Sequence, residues 1–415
     1  MRSLRIGILL GFRQIQRSSI WTTGLIIFVM MLTFLNLIAV SGILVGLITG
    51  AERAVRLESL GDIVMTPKDG ENVIFETSAV VSELATFSEI QQFSTRYETI
   101  AQLEANYKER RDLKGERDIA NVNIMGIDPD EEDAMSGLKS KVVAGEYLDS
   151  QEEGFILVGV YYLKEYALKF GDVFESVENV GPGDTVRISS GEVSKEFIVK
   201  GLIESKVDQV SLNTYIPERE FRRLFGRIDR NADQIVIRVQ EPGQEIAVQD
   251  SLIASGIGDY AKIQTYDQSK PKFITDIKNT FNILGTFIGS VGIVVASITI
   301  FIIIFINALS RRRHIGILKG IGIDRSVIEI AYVLQAAFYA LLGSIFGALL
   351  TYGFLVPYFE SNPIQFPFSD GILVAPIDET FLRFIVLFVI TLIAGYVPAW
   401  MIVRQNTLNS ILGRK

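Results

Sequence analysis

The sequence predicts a membrane protein: four transmembrane α-helices, with a large α+β extracytoplasmic domain inserted between the first and second on helical stalks. Three observations predict it. Apolar residues make up 48% of the 415-residue chain and gather in long blocks instead of spreading evenly. Between about 49 and 280 lie 42 acidic and 27 basic residues, net −15, whereas the remainder holds 6 acids and 13 bases, net +7. The short gap between two of the apolar blocks, 310–326 (SRRRHIGILKGIGIDRS), opens on Arg311, Arg312 and Arg313. By the positive-inside rule that gap is cytoplasmic, which puts both termini inside and the acidic insert outside.

Taken in order, residues 1–18 read as a cytoplasmic interfacial helix, with Leu4, Ile8, Phe12 and Ile15 on one face and Arg2, Arg5, Arg13 and Arg17 around the rest. No charged residue occurs from Ile20 to Ile48. At 1.5 Å per residue that run is about 43 Å, longer than the roughly 30 Å hydrocarbon core, so the first span, 19–49, tilts or protrudes. It is about twice the apolar core of a secretory signal and reads as a retained span. Helical spacing continues past Gly50 through AERAVRLESLG, and Lys272 to Phe287 forms its counterpart before the second span, 281–308.

The extracytoplasmic domain, 50–280, carries β-rich runs: GDIVMTP, ETIAQLEANYK, VNIMGID, GFILVGV, DTVRISS and KEFIVKGLIE. Helical patterns fall at roughly 80–95, 160–170, 217–226 and 243–255, and this irregular alternation points to a mixed sheet. The acidic cluster DPDEED, Asp128 to Asp133, lacks the glycine and closing glutamate of an EF-hand loop, so it reads as a solvated turn and not a metal site.

In the cytoplasmic loop, 309–326, Ile315, Leu318 and Gly322 recur at i, i+3 and i+7. That gives a short helix one apolar stripe in need of a partner surface. The third span is 327–356, where Glu329 lies four residues past Arg325 and is expected to pair with it at the interface. The proline-rich stretch 357–379 has no lysine or arginine and is placed outside. A fourth span, 380–403, leads to the cytoplasmic tail 404–415, which carries Arg404, Arg414 and Lys415. Gly285, Gly289, Gly292, Gly343 and Gly347 match small-xxx-small spacing for close helix contact.

Several chemistries are excluded. Without cysteine there are no disulfides, zinc–thiolate sites or cysteine nucleophiles. The single histidine, His314, sits beside three arginines away from any extracytoplasmic serine, which leaves a nucleophilic triad unsupported. No G-x-x-x-x-G-K-[ST] occurs; GPGDTVR and SSGEVSK lack its spacing. The chain is therefore expected to be no enzyme and to bind no cofactor itself, and no nucleic-acid partner is expected.

The basic residues followed by IGILKGIG and a helix start at Asp324 or Ser326 resemble the coupling segment of ABC-transporter permeases of the MacB, lipoprotein-releasing and FtsX-like type, commonly R-R-x-E-I-G-I-L-K-x-I-G. His314 stands where that family usually carries an acid. VAGEYL, ILVGVYYLKEYALKFGD and GDTVRISSGEVSKEFIVKGLIES resemble, in that order, the family's extracytoplasmic domain, with Gly145, Gly159, Gly171 and Gly183 at its turns. GYVPAWMIVRQNTLNSIL resembles its terminal motif, with Asn406 or Thr407 in place of a second proline.

The resemblance implies outer pieces at 61–128 and 228–270 with an inserted subdomain at 129–227. It makes Arg311, Arg312, Arg313, His314, Ile315, Gly316, Ile317, Leu318, Lys319 and Gly322 the ATPase-coupling residues. Implied partners are a cytoplasmic ABC ATPase dimer holding ATP and Mg, a second permease copy or paralogue, and membrane lipid, all at the bacterial cytoplasmic (inner) membrane. The implied function is export or extraction of lipid, lipoprotein or hydrophobic peptide, driven by the partner's ATP hydrolysis. The alternative is an FtsX-like signal transmitter controlling a cell-wall hydrolase, whose extracytoplasmic domain is usually smaller. A membrane-anchored adhesion or receptor domain would fit the topology but leave IGILKGIG unexplained.

Overall fold

The structure is a computed structural model describing residues 2–17, 19–108, 117–167, 175–191, 193–270, 272–362, 364–366, 369–371 and 373–404. Gly171, Asn406, Thr407, Arg414 and Lys415, with all of the expected tail beyond Arg404, lie outside the described residues. Two compact units form: one chiefly from Ala51–Thr275, the other from Met1–Gly50, Asp276–Phe366 and Asp370–Lys415. The apolar blocks become four helices long and apolar enough to cross a membrane, Ile20–Leu60, Ile274–Ser310, Arg325–Ser361 and Ile377–Val403. A mixed α/β unit lies between the first and second of them in the chain, as the fold class requires.

The α/β unit is one ten-stranded sheet. Its strands are β1 (Ile63–Thr66), β2 (Ile90–Glu104), β3 (Ile119–Ile127), β4 (Val142–Gly145), β5 (Phe155–Gly159), β6 (Thr185–Ser190), β7 (Val193–Ile203), β8 (Asn213–Pro217), β9 (Gln234–Val239) and β10 (Lys262–Thr265). The order is β10-β1-β9-β2-β3-β8-β5-β7-β4, with β6 joining β2 to β7. Most pairs are antiparallel; β3 with β8 and β5 with β7 are parallel. The division expected after Asp128 falls inside this sheet, because β3 pairs with β8 from Asn123↔Asn213 to Ile127↔Pro217 and β2 pairs with β6.

Both faces are covered, and the side chains show it residue by residue. Ile124, Val158, Leu202 and Ile216 enter a large core with Tyr97, Leu103, Phe197 and Ile237. Their chain neighbours Met125, Leu157, Ile203 and Tyr215 enter a second cluster with Leu138 and Val207. Period-two alternation between two apolar layers explains why runs such as GFILVGV are apolar without interruption. The helix expected over 80–95 is shorter, Thr77–Leu84, and β2 begins at Ile90. From Tyr97 onward Ala101 and Leu103 are buried at even spacing, a strand period that overrides the helical pattern before it.

Gly145 turns at φ +82°, and a Cβ there would meet the Lys200 carbonyl. Gly159 is not a turn residue: its backbone is extended, and glycine is needed because the Ser211 carbonyl lies against it. DPDEED is not a solvated turn either. Asp128 Oδ1 accepts from the N–H groups of Asp130 and Glu131 (3.0 and 3.2 Å), capping a helix at Pro129–Ser136 and turning Glu132 into the core.

In the helical unit the first span packs on the third. A Cβ on Gly343 would collide with Met30, and one on Gly347 would lie 2.8 Å from Phe34 Cδ1. These glycines therefore serve a contact inside one chain. Gly395 admits Ala336 and Ile304 in the same way, whereas a Cβ on Gly289 would meet nothing within 4 Å. Ile300, Ile304 and Ala308 bury the last turns of the second span in the same core. Thr351–Leu355 is a π-helical turn near the far end of the third span. There Tyr352 Oη donates to Thr380 Oγ1 (2.8 Å) and Arg383 donates to Ser41 Oγ (2.6 Å) and Glu379 (2.8 Å).

The N-terminal helix, Arg2–Gln16, turns Gly7 and Gly11 onto the third span, where Ile330, Ala331 and Leu334 fit against them, and leaves Ile8 and Phe12 outward. Small residues permit that approach, and the larger side chains are left outward. One expectation is corrected here. Arg325 and Glu329 form no ion pair among the described residues; both lie at the polar start of the span, where water screens such a pair.

Candidate functional site

The loop between the second and third spans folds as its own helix, Arg312–Gly320. Gly322 at φ +90° ends it: the Ile323 N–H donates to the Leu318 carbonyl (3.0 Å) and the Gly322 N–H to that of Lys319 (3.1 Å), which satisfies the last carbonyls. Asp324 then opens the third span at Arg325. The helix lies at the end of the fourth span, where Lys319 Nζ donates to the Val403 carbonyl (2.9 Å) and places a cation at a helix C-terminus.

This packing reverses the face expected to meet a partner. Ile315 and Leu318 are 2% and 9% exposed and belong to the core of the helical unit, with Ile328, Ala399 and Val403. Gly316 is buried beside them. The outward residues are Arg313, His314, Ile317, Gly320, Ile321 and Gly322, with Ile317 46% and Ile321 71% exposed. Arg311, Arg312 and Lys319 are half-buried. The helix is apolar on two sides, and the spacing of Ile315 and Leu318 marked the side that the chain itself covers.

A second feature, not anticipated from sequence, lies where the first long helix ends. Its π-helical turn Arg56–Leu60 is bonded at almost every residue. Arg56 pairs with Asp62 (2.6 Å) and Glu245, and Arg238 donates to the Leu57 carbonyl (2.9 Å). Glu58 receives Lys141 Nζ and Ser205 Oγ, each at 2.6 Å. The Ser59 carbonyl receives Arg96 Nη1 at 2.6 Å. Arg96 is 4% exposed and grips Glu132 with Nε and Nη2 at 2.9 and 2.7 Å, while Ser94 donates to the same carboxylate. Burial works against the charge on Arg96, but Glu132 outweighs it and holds the guanidinium above its ordinary range. No sequence signal marked it, because Arg96 falls on the same alternation as Gln92, Ser94 and Glu98, where a polar residue is expected.

Next to Glu132, burial first and then Asp128 and Glu218 push the Glu131 carboxyl up to about 7. The fold thus favours its protonated form, so the stability it lends is present below the ordinary carboxylate range and is lost as pH rises toward 7. Expressed alone, residues 51–275 are expected to melt cooperatively, with a midpoint that falls between pH 5 and 8; in Glu131→Gln that fall should flatten. Equal slopes would refute the assignment. Among the described residues no group of three potential metal ligands occurs.

The FtsX-like permease C-terminal family model matches residues 286–407, from within the second span through the fourth. The chain carries an FtsX-like permease domain. Curated proteins similar to this chain include the macrolide export ATP-binding/permease protein MacB of Campylobacter jejuni, 22% identical over 258 residues, covering 57% of this chain and 38% of that protein. The protein of the same name from Burkholderia cenocepacia is 26% identical over 147 residues, 34% of this chain and 21% of that one. The ABC transporter permease YtrF of Bacillus subtilis is 30% identical over 67 residues, 16% and 15% of the two chains. The chain thus spans well under half the length of these relatives. Among solved structures, the periplasmic region of MacB from Actinobacillus actinomycetemcomitans matches with a TM-score of 0.36 at 17% identity, over 51% of this chain and 92% of that one. The extracellular domain of the noncanonic ABC-type transporter YknZ matches with 0.33 at 13% identity, over 49% and 97%.

Proposed function

We propose that this FtsX-like permease is the membrane subunit of an ABC transporter, in which a separate cytoplasmic ATPase pair drives movement of the α/β unit. The cargo class we assign is lipid, lipoprotein or hydrophobic peptide. The observation that carries the reading is the outward face of helix Arg312–Gly320, which presents Ile317 and Ile321 beside Arg313 and His314 inside the matched domain. Exposed aliphatic residues on a helix held at its other face by its own chain are a preformed knob for a groove in a partner. ATP and Mg belong to that partner, since no phosphate loop occurs in this sequence.

The junction at Arg56–Leu60 supports the mechanical half of the proposal. A helix end that is hydrogen-bonded through Arg56, Leu57, Glu58 and Ser59 to β-strands and loops cannot turn without moving them. We place the helix Arg312–Gly320 and both termini in the cytoplasm and the α/β unit outside, from the charge split. Single cysteines at Ser310, Ser190 and Ser361 test that orientation with a membrane-impermeant thiol reagent in intact cells, after the outer membrane is opened where one exists. Labelling is expected at the last two only; a labelled Ser310→Cys would overturn the orientation.

A further inference from the structure

The N-terminal helix Arg2–Gln16 borders a groove of about 700 Å³ that it shares with the third and fourth spans. Leu9 and Phe12 line it from the N-terminal helix, Leu334 and Phe338 from the third span and Phe388 from the fourth. Arg5 is the one charged residue among those lining it. Leu9 and Phe12 are 60% and 58% exposed, which suits hydrocarbon and not water. Among the described residues no carboxylate pairs with Arg5, so its five donors are unclaimed by any acid. From Arg5 to Ile15 the helix rises about 15 Å, half of a roughly 30 Å hydrocarbon core.

We propose that this groove holds an acyl chain of an anionic bilayer phospholipid, with its phosphate on Arg5. Guanidinium matches phosphate in a bidentate geometry, and a zwitterionic lipid offers the same phosphate with its own ammonium competing for it. The inference rests on the membrane placement proposed above and is independent of any ATPase contact.

Native mass spectrometry of the full chain, purified in neutral detergent and titrated with phosphatidylglycerol or phosphatidylcholine, tests it. Phosphatidylglycerol should be retained about fivefold better, the effect of one basic residue at a membrane surface. Arg5→Gln should abolish the preference and Arg5→Lys should keep it. Ala337→Trp, which fills the groove, should lower retention of both lipids. Equal retention of the two lipids by the native chain, or an unchanged preference in Arg5→Gln, would overturn the proposal. Should Arg5→Gln fail to fold, unchanged retention in Ala337→Trp would do the same.

Discussion

Replacing Arg96 by methionine is expected to cost the α/β unit about 3–5 kcal/mol, because Glu132 would keep its buried position and lose its counter-charge. The carboxylate of Glu132 is 2% exposed and would retain only the Ser94 hydroxyl as a side-chain partner from a different element. The Ser59 carbonyl in the π-helical turn would lose its donor as well, at about 1–3 kcal/mol for an unsatisfied buried group. A loss of that size is a large part of the roughly 5–15 kcal/mol that holds a typical domain folded. Arg96→Met/Glu132→Leu removes both charges and should recover much of the stability, since an apolar pair of similar volume is often neutral or better. Urea titration of residues 51–275 reads this directly. If Arg96→Met alone unfolded at the native midpoint, the junction would not be held as described.

The second large effect is expected at Ile315. Ile315→Asp places a carboxylate among Ile328, Ala399 and Val403, the core of the helical unit, and forfeits roughly 1.5–3 kcal/mol of apolar burial. The helical unit should fail to assemble, so the yield of monodisperse protein in detergent should fall severalfold whether or not an ATPase is present. Ile317→Asp, at a 46% exposed position, should elute as the native chain does. Equal yields from the two variants would contradict the packing of this helix against its own spans.

The four long helices were legible in the sequence because uncharged apolar runs of that length have few other uses, and the helix between the second and third because its basic start and glycine stop are local signals. Its partner face was not legible. Ile315, Ile317, Leu318 and Ile321 occupy two sides of one helix, and only tertiary packing decides which side the chain covers. Strands β8 and β9 went unread because NTYIP and QIVIRV are short and buried on both faces, so they lack clear alternation. The first half of β2 went unread because its run follows a helix with no break stronger than Thr86 and Ser88. Gly343 and Gly347 were read as a contact surface correctly in kind, but spacing cannot say whether the surface opposite belongs to the same chain. The Arg96–Glu132 pair joins residues 36 positions apart, and no sequence period connects them.

In the proposed coupling, Ile317 and Ile321, and not Ile315 and Leu318, meet the ATPase. Copurification of a cytoplasmic ABC ATPase with Ile317→Asp/Ile321→Asp, expressed to native level in cells that supply the partner, tests it most directly. Each side chain buried in a partner groove contributes roughly 1.5–3 kcal/mol, so the double variant should bind the ATPase at least about a hundredfold more weakly. The expected result is an intact, monodisperse permease from which the ATPase and its cargo-stimulated turnover have been lost. Native recovery of the ATPase with that variant would contradict the claim.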